Sequence, residues 1–233
     1  MYKLFILLLS AFSVFGFSQS RLDDIDLLKV PQKKIRHFIK NQENHNIHKF
    51  RDVKATYYAG QDTTQYQRVE KKYFIKENIS KVWNCYKTTS PSESWKGKMI
   101  SFGLLFDKSK NKVMYASDSF AGVDTGQVIY VNLKIMRGLY NLAVAFEIKA
   151  IDDINKAIIF CYVEGGKTSG EQLLQFVDTK NGYTEIIHST LFRSDSRFRD
   201  KHLYRKFHLK AIDEFHRNIL GKILVSSDLA ANH

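Results

Sequence analysis

The chain has 233 residues, 44% of them hydrophobic, with 36 Lys and Arg against 24 Asp and Glu and a formal charge of +12. Its two prolines exclude a disordered or linker-rich chain, and its two cysteines, without a CxxC pair, exclude a disulfide framework. A basic surface of this size attracts polyanions such as nucleic acid, acidic polysaccharide or an anionic membrane face, although the same charge also serves plain solubility.

Residues 1–18, MYKLFILLLSAFSVFGFS, carry one cation at Lys3, an apolar run from Leu4 to Phe15, and small residues at Gly16 and Ser18. This layout predicts a signal peptide cleaved before Gln19 and an exported, periplasmic or extracellular protein. An uncleaved anchor is the competing reading, but no stop-transfer flank follows, and no Cys at the junction offers a site for a lipid anchor. Residues 19–64 read as an N-terminal extension packed on the main domain. A helix follows Pro31, with Ile35, Phe38 and Ile39 on one face, and a polar loop follows that helix.

From Tyr66 the periodicity sharpens. YQRVEKKYFI alternates with Val69, Tyr73 and Ile75 on one side and predicts a strand. ENISKVWNCYKTT then places Ile79, Val82, Trp83 and Tyr86 at helical spacing, with Asn78 as the cap. After Pro91 come seven strand-like runs: MISFGLLF, KVMYAS, GQVIYVNLKI, LAVAFEIKAI, KAIIFCYVE, EQLLQFV and YTEIIHSTLF. Hairpin-type breaks such as DKSKN, DDIN and DTKNGY are too short for parallel crossovers, so the sheet is mostly antiparallel. RFRDKHLYRKFHLKAIDEFHRNIL closes the chain as a long amphipathic helix with Tyr204, Phe207, Ala211, Phe215 and Ile219 on its apolar stripe. Beyond Leu220 the chain is expected to fray, leaving 223–233 as a flexible tail. Cys85 falls in a helix and Cys161 in a strand, which favours buried free thiols over a disulfide.

Gly166-Lys167-Thr168 spells the end of a P-loop. The motif's first glycine is replaced by Cys161, and antiparallel strands flank it instead of a parallel strand and a helix. It reads as a glycine-rich strand connection, and nucleotide is not expected there.

Three segments carry a family resemblance: KKYFIKENISKVWNCYKTTSPSESW, YVEGGKTSGEQLLQF and RFRDKHLYRKFHLKAIDEF. Over residues 65–222 the chain resembles the START-like superfamily, the helix-grip fold of the birch pollen allergen and polyketide cyclase relatives, in a bacterial branch of unknown function. It departs from that pattern with Glu77-Asn78 in place of Ala-Pro, with the leader and extension, and with an additional strand. The resemblance implies an α+β fold in which a curved, mostly antiparallel sheet grips the C-terminal helix and leaves an apolar cavity. Members bind lipids, sterols, hormones or polyketides, and some are cyclases or hydrolases; fold does not choose among these.

On that fold, Tyr130, Phe160, Tyr162, His188, Tyr204, Phe207 and Ala211 are the candidate ligand-binding residues. His188 shares a strand face with Thr184, Ile186, Thr190 and Phe192, and would be a general base if that face is concave; a hydrogen-bonded core histidine is the alternative. Glu164 and Glu171 flank the glycine loop, where Glu164 is a second acid/base candidate against a hydrated turn. Glu147 and Lys149 are expected on the solvent side of their strand. Arg193, Arg197, Arg199, Lys201 and Arg205 form the densest basic region, a candidate anion- or membrane-binding surface, with a solvated helix start as the alternative. His45 and His48, and His202, His208 and His216, approach metal spacing, but a solvated loop and a polar helix face account for them, so no metal and no cofactor is expected. The expected function is exported binding of a lipid or other apolar molecule. The alternatives are a cavity enzyme using His188 or Glu164 and a basic surface-interaction protein.

Overall fold

The alternating segments become eight strands of one antiparallel sheet: β1 Gln67–Ile75, β2 Ile100–Asp107, β3 Lys112–Met114, β4 Gln127–Ile135, β5 Tyr140–Asp152, β6 Ala157–Tyr162, β7 Thr168–Asp178 and β8 Thr184–Ser194. The structure is a computed structural model and describes residues 21–22, 24–196 and 200–231. The expected leader, residues 1–18, and Arg197 and Arg199 of the basic cluster lie outside the described residues. The strand order is β1-β8-β7-β6-β5-β4-β2-β3, so the first strand pairs with the last, Tyr73 opposite Ile186. Strands β4 to β8 follow one another as a meander, and two register shifts, at Phe102/Leu104 and Ile148/Ala150, add bend where β2 and β5 curve.

Among the described residues four α-helices complete the fold: α1 Lys33–Asn44, α2 Ile79–Thr88, α3 Pro91–Ser94 and α4 Arg205–Ala231. Asn78 caps α2, its Oδ1 accepting from the Ser80 amide at 2.8 Å. A π-helical turn, Asp200–Tyr204, leads into α4. The helix does not stop near Leu220, where fraying was expected. It continues to Ala231, and Ile223 is buried in the same core as Phe215 and Ile219.

The sheet has two covered faces. On the concave face α2, α3 and α4 pack Val82, Tyr86, Trp95, Phe215 and Ile219 against Ile148, Leu174 and Phe176. On the convex face the N-terminal extension seats Val30, Ile35, Phe38 and Phe50 on Leu104, Phe106, Tyr130 and Val163. Val30, Ile35 and Phe50 are completely buried, and each such side chain contributes about 1.5–3 kcal/mol over remaining in water. The extension is therefore an integral layer of the fold.

This layer overturns one expectation. Glu147 faces the convex side, opposite Phe146 and Ile148, yet it does not meet solvent, because the segment around Val53 covers it. Lys108 reaches under that segment, donating to the Val53 carbonyl at 2.7 Å and to Glu147 Oε2 at 2.9 Å. Cys161 is also on this face, where burial pushes its thiol up to about 12. Cys85 contacts the concave core, and both thiols are free.

Candidate functional site

A cavity of about 420 Å³ separates the concave face from the first half of α4. Val131 and Leu133 of β4, and Leu142, Val144 and Phe146 of β5, form its floor; Phe207, Ala211 and Ile212 form its roof. Ala211 presents only a methyl group at the centre of the helix face, and Phe207 stands to one side, which leaves the space between them and the sheet unfilled. Trp95 closes the inner end, stacked on Phe215 at 4.2 Å and tilted against Phe146 at 5.1 Å. Met136, Tyr140 and Leu203 lie at the outer end and are exposed.

The helix is held at this distance by polar clips near its middle. The Glu214 carboxylate accepts from the amides of Lys98, Met99 and Ile100 at 2.8, 2.8 and 3.0 Å. Asn218 donates to the carbonyls of Ser94 and Lys96. Below the clips, Phe215, Ile219 and Ile223 fill the core; above them the helix roofs the cavity.

One wall is polar but uncharged. Tyr162, Thr168, Gln172, Tyr204 and His208 supply it, and among the described residues no Lys, Arg, Asp or Glu lines the cavity. Tyr162 and Tyr204 share a hydrogen bond between their hydroxyls. His208 Nε2 lies 2.8 Å from Thr190 Oγ1. Behind Gln172 runs a buried chain: Gln172 Oε1 to His188 Nε2 at 2.9 Å, His188 Nδ1 to His216 Nε2 at 2.9 Å, and His216 Nδ1 to the Tyr86 hydroxyl at 2.6 Å. Burial holds His208 down to about 4 and His216 down to about 3. Burial, reinforced by the neighbouring histidines, holds His188 well below the usual imidazole range. At neutral pH all three rings are uncharged.

No protein-family model matches the sequence, and no curated protein matches it. Solved structures do. Norcoclaurine synthase from Thalictrum flavum, in complex with dopamine and hydroxybenzaldehyde, superposes with a TM-score of 0.50 at 10% identity, covering 73% of this chain and 96% of that one. TTHA0849 from Thermus thermophilus gives a TM-score of 0.50 at 13% identity over 69% of this chain and 99% of its own. The ginseng major latex-like protein 151 gives 0.47 at 17% identity over 66% and 95%. The shared fold is a helix-grip, an antiparallel sheet curved around a long C-terminal helix. At these identities the likeness is one of architecture, and the site of this helix-grip chain has to be read from its own residues.

Four of the seven expected ligand residues, Tyr162, Tyr204, Phe207 and Ala211, line the cavity. Phe160 is on the concave face but packs edge-on to Phe146, beyond the cavity. His188 is on that face too, with Gln172 between it and the space. Tyr130 is on the other face: it packs against Phe38 and Phe50 and its hydroxyl donates to Gln42 Oε1. The odd positions of β4 face inward, so an even-numbered residue points to the extension.

Glu164 is also remote from the cavity. Its carboxylate accepts from the Lys54 amide and its carbonyl from Gln42, both on the convex side. The glycines before Lys167 admit α1: a Cβ at Gly165, whose φ is +83°, would stand 2.8 Å from Gln42 Cγ, and the Phe38 ring lies against Gly166. Their role is close packing against α1. His208 and His216 do not belong to a polar helix face, since both point into the core; among the described residues no group of three His, Cys, Asp or Glu is placed to hold a metal. Arg193 lies over the Tyr66 ring, and Lys201 and Arg205 are exposed.

Sequence reasoning missed Gln172, Thr168 and His208. The signal was available for the first two: Thr168, Gly170, Gln172, Leu174 and Phe176 alternate along one face of β7, so two polar residues stand in register with an apolar stripe.

Proposed function

We propose that this chain is an exported binding protein for an apolar small molecule or lipid, held between the sheet and α4. The observation that carries this reading is the cavity itself, whose volume lies in the range of ligand pockets and whose lining is apolar apart from one uncharged wall. A well-packed core leaves few voids larger than a water molecule, so a space of this size needs an occupant to be stabilising. Export rests on the leader, with Gln19 as the expected mature N-terminus. Binding is favoured over catalysis because neither His188 nor Glu164 borders the cavity. Native mass spectrometry of protein purified from its own host tests the reading. A mass increment of a few hundred daltons that disappears on denaturation is expected, and an unliganded protein that also binds no apolar dye would contradict it.

The same reading gives the ligand a source. Met136, Leu139, Tyr140 and Leu203 are exposed beside the outer end, and Arg137, Lys201, Arg205 and Lys206 are exposed around them. Apolar side chains ringed by cations suit the interface of an anionic bilayer, which would deliver an apolar ligand to the opening. Flotation with vesicles containing phosphatidylglycerol, against pure phosphatidylcholine, measures this directly. Equal partitioning to both would remove the basic ring from the account.

A further inference from the structure

The buried histidine chain fixes the orientation of one cavity-lining group. Tyr86 is buried, and His216 is the only hydrogen-bond partner of its hydroxyl among the described residues. If Tyr86 accepted from His216, its own proton would be buried without an acceptor, which is strongly disfavoured. Tyr86 therefore donates to His216 Nδ1. Neutral His216 then carries its proton on Nε2 and donates to His188 Nδ1, and neutral His188 carries its proton on Nε2 and donates onward. The recipient at Gln172 must be an oxygen. Its amide is thus locked with Oε1 turned to His188 and Nε2 turned away. Gln172 is only 7% exposed and lines the cavity, yet its Nε2 has no partner in the protein among the described residues.

An amide with two unused protons on the polar wall of an otherwise apolar cavity offers a ligand a hydrogen-bond donor. The wall around it holds no cation to neutralise an anion, and a charge buried without a counter-charge is disfavoured. We infer that the occupant is an uncharged molecule with a carbonyl oxygen, a ketone, ester or carboxamide, seated on the Gln172 amide with its apolar body along Val131, Leu133 and Val144. This rests on the cavity being a ligand site, and it narrows the ligand class from apolar molecules in general to neutral carbonyl compounds.

The test uses 2-dodecanone, dodecane and dodecanoate as probes that displace the neutral dye Nile red, at pH 7.5. In Gln172→Met the ketone is expected to weaken about fivefold, the value of one neutral hydrogen bond, while dodecane is unchanged. Dodecanoate is expected to bind more weakly than the ketone to the wild type. Because Gln172→Met also takes the acceptor from His188 and could fail to fold, the infrared carbonyl stretch of 2-dodecanone bound to the wild type provides an independent readout. It should lie below its frequency in hexane and, where the variant folds, return to it there. A stretch at the hexane value in the wild type, a shift that persists in Gln172→Met, or dodecanoate binding as tightly as the ketone would overturn the inference. Failure of all three probes and of the dye to bind would instead remove the ligand-site reading beneath it.

Discussion

The Glu214 carboxylate occupies the space that a side chain at position 97 would fill: a Cβ on Gly97 would lie 2.0 Å from the Glu214 carboxyl carbon. The two residues are one device. The glycine opens the backbone of residues 97–100, and the carboxylate collects the three amides that this exposes. The device anchors α4 directly beside Ala211 and Ile212, which roof the cavity, and so it sets the height of the cavity.

Breaking either half should therefore loosen the grip. Glu214→Ala is expected to lower stability by about 2–3 kcal/mol, since hydrogen bonds to a charged group are worth more than neutral ones. Gly97→Ala should cost about 1–3 kcal/mol by overpacking. Urea melts of both, and of the double variant, measure the coupling. Strictly additive losses would show that the two positions do not act together.

The histidine cluster predicts a pH dependence. Unfolded, His188, His208 and His216 titrate near 6.5; folded, burial keeps them neutral to about 4 for His208 and about 3 for His216, with His188 also held down. Between those limits the unfolded chain binds more protons, so stability is fully present above 6.5 and declines as pH falls toward the folded-state values. His208→Gln, which can still bond Thr190, should flatten this slope near pH 5 by almost one proton, about 1.4 kcal/mol per pH unit. Urea unfolding between pH 7 and pH 4.5 gives the slopes, and identical slopes in both proteins would contradict neutral burial of His208.

The N-terminal layer makes a third prediction. Ile35 is fully buried against β2, where a Cβ on Gly103 would stand 2.3 Å from its Cδ1. Ile35→Ala should cost about 2–5 kcal/mol. Removal of residues 19–64 should expose Leu104, Phe106 and Tyr130 together and yield aggregated protein. A soluble, cooperatively folding 65–233 fragment would show that the layer is dispensable.

The order of strands and helices is legible because alternation and short hairpin breaks are local signals, and the concave face of β8 follows from the period of Thr184, Ile186, His188 and Thr190. Sidedness across strands is harder to read. Nothing local says which face of β4 or β5 is concave once both faces are covered, so the sequence reading places Tyr130 on the wrong side and Glu147 in solvent. The histidines of α4 read as polar because a helix stripe shows which residues share a face, while their buried partners, Thr190 and His188, belong to a different element, β8. Gln172 is legible by register, but it stands beside the glycine motif that precedes it and draws the eye first.

The central claim is that the space beside Ala211 is a ligand site and not a packing defect. Ala211→Trp tests it most directly, with Nile red binding and a urea melt measured on the same samples. The wild type should bind the dye at one site. The variant should lose that binding while its melt moves little, because the indole enters volume that is already empty. In a filled core the same change is overpacking and costs about 1–3 kcal/mol. A wild type that binds no apolar probe, together with a variant destabilised to that degree, would contradict the account.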